Sequence, residues 1–262
     1  KTRQALLDMG YSKDSQSYPL SDSTMEVSPE LAEWWTDYVN GLGLMDENGN
    51  LLNAAFDSDT LEASGTLYDG MKKLIMNTYQ QALDELGKEE FLSVLKSRSV
   101  ASGYAGADAA PEEDWQTGWV SFSEDGTQIL DIDMDKYLNY VALGEVLKNA
   151  PAFTNQGTVE EARNENNLFG QEDDAFGFLT KTVYNLAADT TFLEKYGNLS
   201  WDEYWDRNGE LLTKQARMID SISYLTDEND GDSAPYWYVR HGTNDRDTSC
   251  ANQTLLYYAM IN

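Results

Sequence analysis

The stretch LYDGMKKLIMNTYQQALDELG (67–87) repeats apolar residues at the three-to-four-residue spacing of one face of an α-helix. Gly87 follows as a helix stop. The residues predicted to face inward are Leu67, Met71, Leu74, Ile75, Tyr79, Ala82, Leu83 and Leu86. Because such a helix must bury its apolar face, the stretch requires a packed helical body around it.

Further helices are predicted on both sides of this one. In SPELAEWWTDYVNGLGL, Ser28 is an N-cap candidate, Pro29 suits the first helical position, and Gly41 is a stop. A helical pattern also runs from about Gly197 to Leu225, and we expect Gly209 to interrupt it. The chain is therefore expected to be mainly α-helical over most of its length.

One β-hairpin is expected between these helices. TGWVSFSEDGTQILDIDMDKYLNYVALGEVL contains two strand patterns joined at Asp125 and Gly126, followed by a helical pattern. The acidic series Asp131, Asp133 and Asp135 is compatible with metal ligation. Its alternation fits better with the end of a strand and the cap of a helix.

The last part of the chain changes character. PYWYVRHGTNDRDTS predicts a short buried strand, Tyr236–Arg240, which leads through Gly242 and Asp245 into a helix that begins near Thr248 and contains Cys250. On spacing alone, Asp245 could cap that helix or present its carboxylate at a site. The pattern indicates a long helical insertion followed by one β-loop-α unit of an α/β domain.

Charge and composition limit the classes of partner. The chain of 262 residues has 46 acidic and 18 basic residues, a formal net charge of −28. That charge opposes nucleic-acid backbones and anionic membranes, and no apolar run approaches the roughly 20 residues that span a bilayer. The single cysteine excludes an internal disulfide and a cysteine-rich zinc site. We expect no cofactor.

Several stretches, in order, resemble the tannase-like branch of the α/β-hydrolases, which includes bacterial tannases and feruloyl-esterase-like proteins. They are LAEWWTDYVNGLGLMDENGN, DIDMDKYLNY with LKNAPAF and NENNLFG, KQARMIDSISYL and YWYVRHGTNDRDTS. The resemblance implies an α/β-hydrolase fold with a large, mainly helical lid insertion at 1–231. Residues 232–262 would be the part of the core that this chain supplies.

The resemblance also implies a serine carboxylic-ester hydrolase acting on a small-molecule ester of a hydroxylated aromatic acid. Asp245 matches the acid of the catalytic triad, which orients the catalytic histidine. Asp247 matches an acid that contacts the phenolic hydroxyls of a galloyl group in tannases. Lys148 and Glu165 lie in the segments that supply other galloyl contacts, and a surface position is the alternative for each.

The chain departs from the family pattern in two respects. No Gly-x-Ser-x-Gly nucleophile motif occurs in it. Its only histidine, His241, is too close to Asp245 in sequence to be the catalytic one, and we expect it to be structural or to line the site. The nucleophile and the histidine are therefore expected in a remaining part of the hydrolase, for which a separate chain is one source.

Two other classes of function stay open from the sequence. The Trp- and Tyr-rich segments would also suit a non-catalytic module that binds a carbohydrate or an aromatic ligand. A calcium-dependent structural domain ranks last, because DENGNLLN only superficially resembles a calcium-binding loop. The final stretch, SCANQTLLYYAMIN, has a helical face without a stop signal, so we expect the chain to end inside or at the edge of an element.

Overall fold

The computed structural model describes residues 22–57, 62–100, 113–143, 181, 184, 199–227, 234–242 and 249–261. Among them, helices dominate and the strands are short. The elements are α1 (Asp22–Gly41), β1 (Ala55–Asp57), β2 (Glu62–Ser64), α2 (Thr66–Leu86), α3 (Lys88–Lys96), β3 (Val120–Phe122), β4 (Ile129–Ile132), α4 (Met134–Leu143), α5 (Trp201–Ile219), α6 (Ser221–Thr226) and α7 (Cys250–Ile261).

The described strands form two antiparallel pairs. β1 pairs with β2 through Phe56 and Ala63. β3 pairs with β4 through Val120 and Ile132, with a bulge after Ser121. The parallel sheet of an α/β-hydrolase core does not occur within the ranges given above, so only the helical part of the expected architecture is visible directly.

Helix α2 is shared by two hydrophobic cores. Its buried residues Ile75, Tyr79 and Leu83 pack against α3, the β3–β4 hairpin and α4, and we call this the hairpin core. Leu67 and Leu74 pack with α1 and α7, and we call this the terminal core. The amphipathic pattern of 67–87 therefore serves two different sets of neighbours.

The hairpin core is rich in aromatic rings. Tyr79 of α2 lies 4.9 Å from Trp119 and 6.0 Å from Tyr137, measured between ring centroids. The Gln80 side chain ties the hairpin to α2, because its Oε1 accepts from the Ile129 N–H at 2.7 Å and its Nε2 donates to the Thr127 carbonyl at 3.0 Å. These bonds fix the hairpin on the helix.

The terminal core brings together helices that are far apart in sequence. Buried side chains of α1, α2 and α7 meet there, and they include Val39, Leu67, Leu255 and Tyr258. Gly70 makes the close approach of α2 and α7 possible, because a Cβ atom on it would lie 2.6 Å from the Tyr258 hydroxyl. This packing anchors the last described helix on the body of the chain.

Helix α5 has a complete capping box. The Ser200 hydroxyl accepts from the Glu203 N–H at 3.3 Å, and the Glu203 carboxylate accepts from the Ser200 N–H at 2.8 Å. At the other end, Asp220 accepts from the Tyr38 hydroxyl at 2.7 Å and so links α1 to the α5–α6 junction. Burial first, and the bond to Asp220 second, raise the pKa of Tyr38 to about 12.

Most local predictions are confirmed. The helix at 67–87 runs over Thr66–Leu86 and ends at Gly87, which has φ 74°. The hairpin turns at Asp125 and Gly126, where Gly126 has φ 73°. Helix α1 ends at Gly41, and Cys250 lies in a helix as predicted. None of the described helices combines the length and apolar character that crossing a bilayer requires.

Three local predictions are wrong. α1 begins at Asp22, so Ser28 and Pro29 lie inside it and Ser28 is not its N-cap, because a local capping preference is only a weak guide to where a helix begins. Leu86 is exposed at the end of α2 rather than buried. Gly209 does not interrupt α5, because it is buried under the indole of Trp205, which a Cβ atom at this position would approach to 2.6 Å.

Candidate functional site

The segment 234–242, which precedes the predicted acid loop, has an extended backbone but forms no β-ladder with the other described residues. Residues 234–240 are exposed, in contrast to the predicted buried strand. The difference has a physical reason: a strand is buried by its sheet neighbours, and the part of the chain described here provides none. Arg240 Nε donates to the Tyr238 hydroxyl at 2.5 Å, and its guanidinium lies 5.3 Å from the centroid of that ring.

A cleft of about 500 Å³ lies between this segment, α2 and α7. It is open to solvent on one side, and its walls mix aliphatic, aromatic and amide side chains. The lining residues are Leu74, Ile75, Asn77, Thr78, Gln81, Trp237, Tyr238, Val239, His241, Cys250, Gln253, Thr254, Leu256, Tyr257 and Met260. Volume and mixed lining are both in the range of small-molecule sites.

The predicted acid loop connects two residues that both line this cleft. His241 lies before the loop and Cys250 follows it. Cys250 also reaches the hairpin core, because its Sγ lies 3.8 Å from the hydroxyl of Tyr137. His241 lines this cleft, and its expected place at the catalytic site stays a prediction.

Polar contacts connect Tyr257, which lines the cleft, to Glu47 in the turn after α1. The Tyr257 hydroxyl donates to Glu47 Oε1 at 3.3 Å, and Lys73 Nζ contacts the same oxygen at 3.2 Å. Hydrogen bonds from its own backbone N–H and from Lys73 hold the pKa of Glu47 below its ordinary value. The carboxylate is therefore ionised and bonded at neutral pH, and it orients the ring of Tyr257.

The four residues predicted to form the site lie outside the described residues. Asp245 and Asp247 are in 243–248, and Lys148 and Glu165 are in 144–180. The triad role of Asp245 and the substrate-binding roles of the other three therefore stay predictions. The structure adds that His241 and Cys250, which lie on either side of 243–248 in the sequence, both line the cleft.

Asp131, near the end of β4, and Asp133, just after that strand, have structural roles, as the alternation predicted. Asp133 Oδ1 accepts from the N–H groups of Asp135 and Lys136, each at 3.1 Å, and so caps α4. Asp131 pairs with Lys72 at 2.7 Å, which lowers the pKa of Asp131. Over the described ranges, no three His, Cys, Asp or Glu side chains come together as metal ligands.

The polar wall of the cleft was not predicted from the sequence. Asn77, Thr78, Gln81 and Gln253 lie on helix faces that the apolar periodicity assigns only to solvent. The pattern of apolar residues shows which face of a helix is buried, but it contains no information on which polar face lines a concave surface. The chain offers no local signal for this wall.

Comparisons with known proteins give a consistent result for the fold. No protein-family model and no curated protein matches the chain. Two solved structures do: tannase from Lactobacillus plantarum, with 23% identity and a TM-score of 0.57, and tannase from Fusobacterium nucleatum, with 22% and 0.56. Each match covers 92% of this chain but only 41% and 40%, respectively, of the tannase. Over nearly all of its length, the chain is therefore similar in fold to a part of two tannases.

Proposed function

We propose that this chain is part of a serine carboxylic-ester hydrolase of the tannase or feruloyl-esterase type. The observation that carries the proposal is the likeness in fold to two tannases over 92% of the chain. The chain spans about two-fifths of their length, so the activity belongs to a larger protein. In this division, 1–231 is the lid insertion and 232–262 is part of the hydrolase core.

The chemistry is acyl transfer through a triad. A serine outside this chain attacks the ester carbonyl, and a histidine outside it takes the serine proton and later donates it to the leaving alcohol. Asp245 accepts from the second ring nitrogen of that histidine and stabilises its charged form. The position of 243–248 between two residues that line the cleft supports this role, because a triad acid must approach a concave site.

Asp247, Lys148 and Glu165 are proposed to recognise the acyl part of the ester. Polar side chains that bond the ring hydroxyls of a galloyl or feruloyl group discriminate strongly against analogues without them, because the site's own polar groups would be left unpaired. Asp247 follows the triad acid by two residues, so one loop would serve both the histidine and the substrate.

The test compares hydrolysis of methyl gallate and methyl benzoate by the complete gene product that contains this chain. Asp245→Asn should lower kcat on both esters by about 10⁴-fold, because the histidine loses its orienting partner. Asp247→Ala should abolish the preference for methyl gallate while leaving methyl benzoate hydrolysis near the wild-type rate. Asp37→Ala, which removes an exposed acid of α1, is the matched control and should change neither rate.

Equal hydrolysis of both esters by the wild-type protein would contradict the hydroxylated-acid pocket and leave a general esterase. Full activity of Asp245→Asn would contradict the triad assignment. The 262-residue chain alone should hydrolyse neither ester, since it has no Gly-x-Ser-x-Gly motif and only one histidine.

The aromatic and amide lining of the cleft favours a second candidate, a non-catalytic module that binds an aromatic ligand. In that case the 262-residue chain alone should bind methyl gallate in a calorimetric titration, and Trp237→Ala should weaken the binding. No heat of binding to the chain alone would remove this candidate.

A further inference from the structure

The cleft between segment 234–242, α2 and α7 is built from uncharged types of residue in a strongly charged protein. None of the described residues that line it is Asp, Glu, Lys or Arg. These four types make up 24% of the chain, whose formal net charge is −28. A charged ligand that gives up its hydration in a concave site requires a partner of opposite charge. The lining of the cleft therefore favours a neutral ligand.

Helices α2 and α7 each contribute a stripe of uncharged polar side chains to the cleft. Asn77 and Gln81 are four residues apart on α2, and Gln253 lies four residues before Tyr257 on α7. Residues at this spacing are neighbours on one helix face, with Cβ atoms about 5–6 Å apart. Each helix therefore offers polar groups at intervals comparable to the width of a six-membered sugar ring.

The amides on these stripes are available to a ligand. The side chains of Asn77, Gln81 and Gln253 form no hydrogen bond with another described residue, and each amide has one carbonyl acceptor and two N–H donors. The hydroxyls of Thr78 and Thr254 already donate to helix carbonyls, each at 2.9 Å, so they can only accept from a ligand. A ligand group that both donates and accepts, as an alcohol hydroxyl does, matches this set.

Aromatic rings line the same cleft. Trp237 and Tyr238 belong to the extended segment, with exposed fractions of 52% and 79%. Tyr257 adds a third ring from α7, which its bond to Glu47 orients. The negative face of an aromatic ring attracts groups with a partial positive charge. The C–H groups on the face of a saturated sugar ring are of this kind, while its hydroxyls lie around the edge.

Ligands of other classes match this lining less well. An apolar ligand would remove water from the amides without replacing their hydrogen bonds, which is costly. A phenolic ring can stack on the aromatic side chains, but its hydroxyls donate better than they accept and are best matched by carboxylates. The described lining contains none. Alcohol hydroxyls around a saturated ring satisfy both the amides and the aromatic rings.

We propose that the cleft is a binding site for a neutral polyhydroxylated ligand of the sugar or cyclic-polyol class. The amides of Asn77, Gln81 and Gln253 bond its hydroxyls, and Trp237 covers its C–H face. The volume of about 500 Å³ accommodates a ligand of this size. The proposal does not depend on ester hydrolysis, because the described part of this chain supplies all of these groups.

A saturation-transfer NMR titration of the 262-residue chain with methyl β-D-glucoside tests the proposal. We expect saturable binding. A ring of the same size with a single hydroxyl, (tetrahydropyran-2-yl)methanol, should bind about tenfold more weakly, because it leaves amides unpaired. The anionic methyl β-D-glucuronide should also bind about tenfold more weakly, because the chain repels it. Absence of saturable glucoside binding at about 50 mM, or tighter binding of methyl gallate, overturns the proposal.

Paired variants place the glucoside in the cleft. Gln253→Ala should weaken its binding about fivefold, the usual effect of losing one hydrogen bond. Asn252→Ala is the matched control, because Asn252 is the exposed neighbour on α7 and does not line the cleft. Trp237→Ala should also weaken binding about fivefold, whereas Trp34→Ala, which removes a similarly exposed indole from α1, should not. Equal affinities within either pair contradict the assignment to this cleft.

The complete gene product distinguishes this proposal from the proposed function. It should bind methyl β-D-glucoside as tightly as the 262-residue chain does. Loss of binding in the complete protein overturns the proposal, because the cleft would then be covered. Glucoside binding without hydrolysis of either methyl ester retains the binding site and overturns the esterase. Ester hydrolysis without glucoside binding retains the esterase and overturns the binding site.

Discussion

Gly70 and Tyr258 show how a single residue sets the distance between two helices. Tyr258 is almost completely buried in the terminal core, and the end of its ring occupies the space where a side chain at position 70 would begin. Any other residue at 70 must displace this ring, which is buried in a close-packed core. The glycine is thus required by packing, not by a special backbone conformation.

We predict that Gly70→Ala destabilises the chain by about 1–3 kcal/mol, the usual range for overpacking a core. Gly41→Ala is the matched control, because a Cβ atom there meets nothing within 4 Å. It should be neutral or slightly stabilising. Urea denaturation followed by circular dichroism measures both free energies of unfolding. Equal values for the two variants would contradict the packing account.

A second prediction at this scale concerns the turn after α1. The side chain and the backbone N–H of Asn50 both donate to Asp46, and the pKa of Asp46 falls to about 2. Because the pKa of Asp46 is lower in the folded chain than its ordinary value of 3.8, the ionised carboxylate stabilises the fold above that pH. This stabilisation is lost as the pH falls towards 2 and the carboxylate becomes protonated. Asn50→Ala should raise the pKa of Asp46, as measured by NMR titration of the carboxyl carbon. An unchanged value would exclude Asn50 as the cause.

At the scale of the element, the start of α5 is stabilised by reciprocal bonds within one turn. Ser200→Ala should cost about 1 kcal/mol of unfolding free energy, the usual effect of losing an N-cap. Glu203→Ala should cost less on its own, and the double variant should cost less than the sum of the two because each residue serves the other. Chemical denaturation of the four proteins of this cycle measures the coupling. Strict additivity would contradict a working capping box.

The elements that could be predicted are those determined by local pattern. The apolar periodicity correctly predicted α2, and the Asp125–Gly126 turn correctly predicted the β3–β4 hairpin. The alternation of acids correctly predicted the cap at Asp133. The exposure of 236–240 could not be predicted in this way, since the burial of a strand depends on neighbours outside the segment. The polar wall of the cleft was not predicted either, because it also depends on which elements lie next to each other in the fold. The four predicted site residues lie in 144–180 and 243–248, outside the described ranges.

At the scale of the whole molecule, net charge is the dominant long-range term. A formal charge of −28 opposes compaction through self-repulsion. Raising sodium chloride from about 10 to 500 mM shortens the Debye length to a few ångströms, so we expect the melting temperature to rise. A neutral osmolyte at matched osmolality is the control for general solvent effects. A falling melting temperature would mean that favourable ion pairs outweigh the repulsion.

The position of α2 between the two cores also affects how the chain is made. All described members of the hairpin core except Cys250 lie between Tyr68 and Val141, so this core has nearly all its residues long before synthesis ends. The terminal core must wait for Leu255, Tyr258 and Ala259. At roughly 5–20 residues per second, the amino-terminal half of α2 leaves the ribosome about ten seconds or more before its partner helix is synthesised. During that interval a nascent chain has a nearly complete hairpin core and, on α2, an apolar surface that α7 does not yet cover.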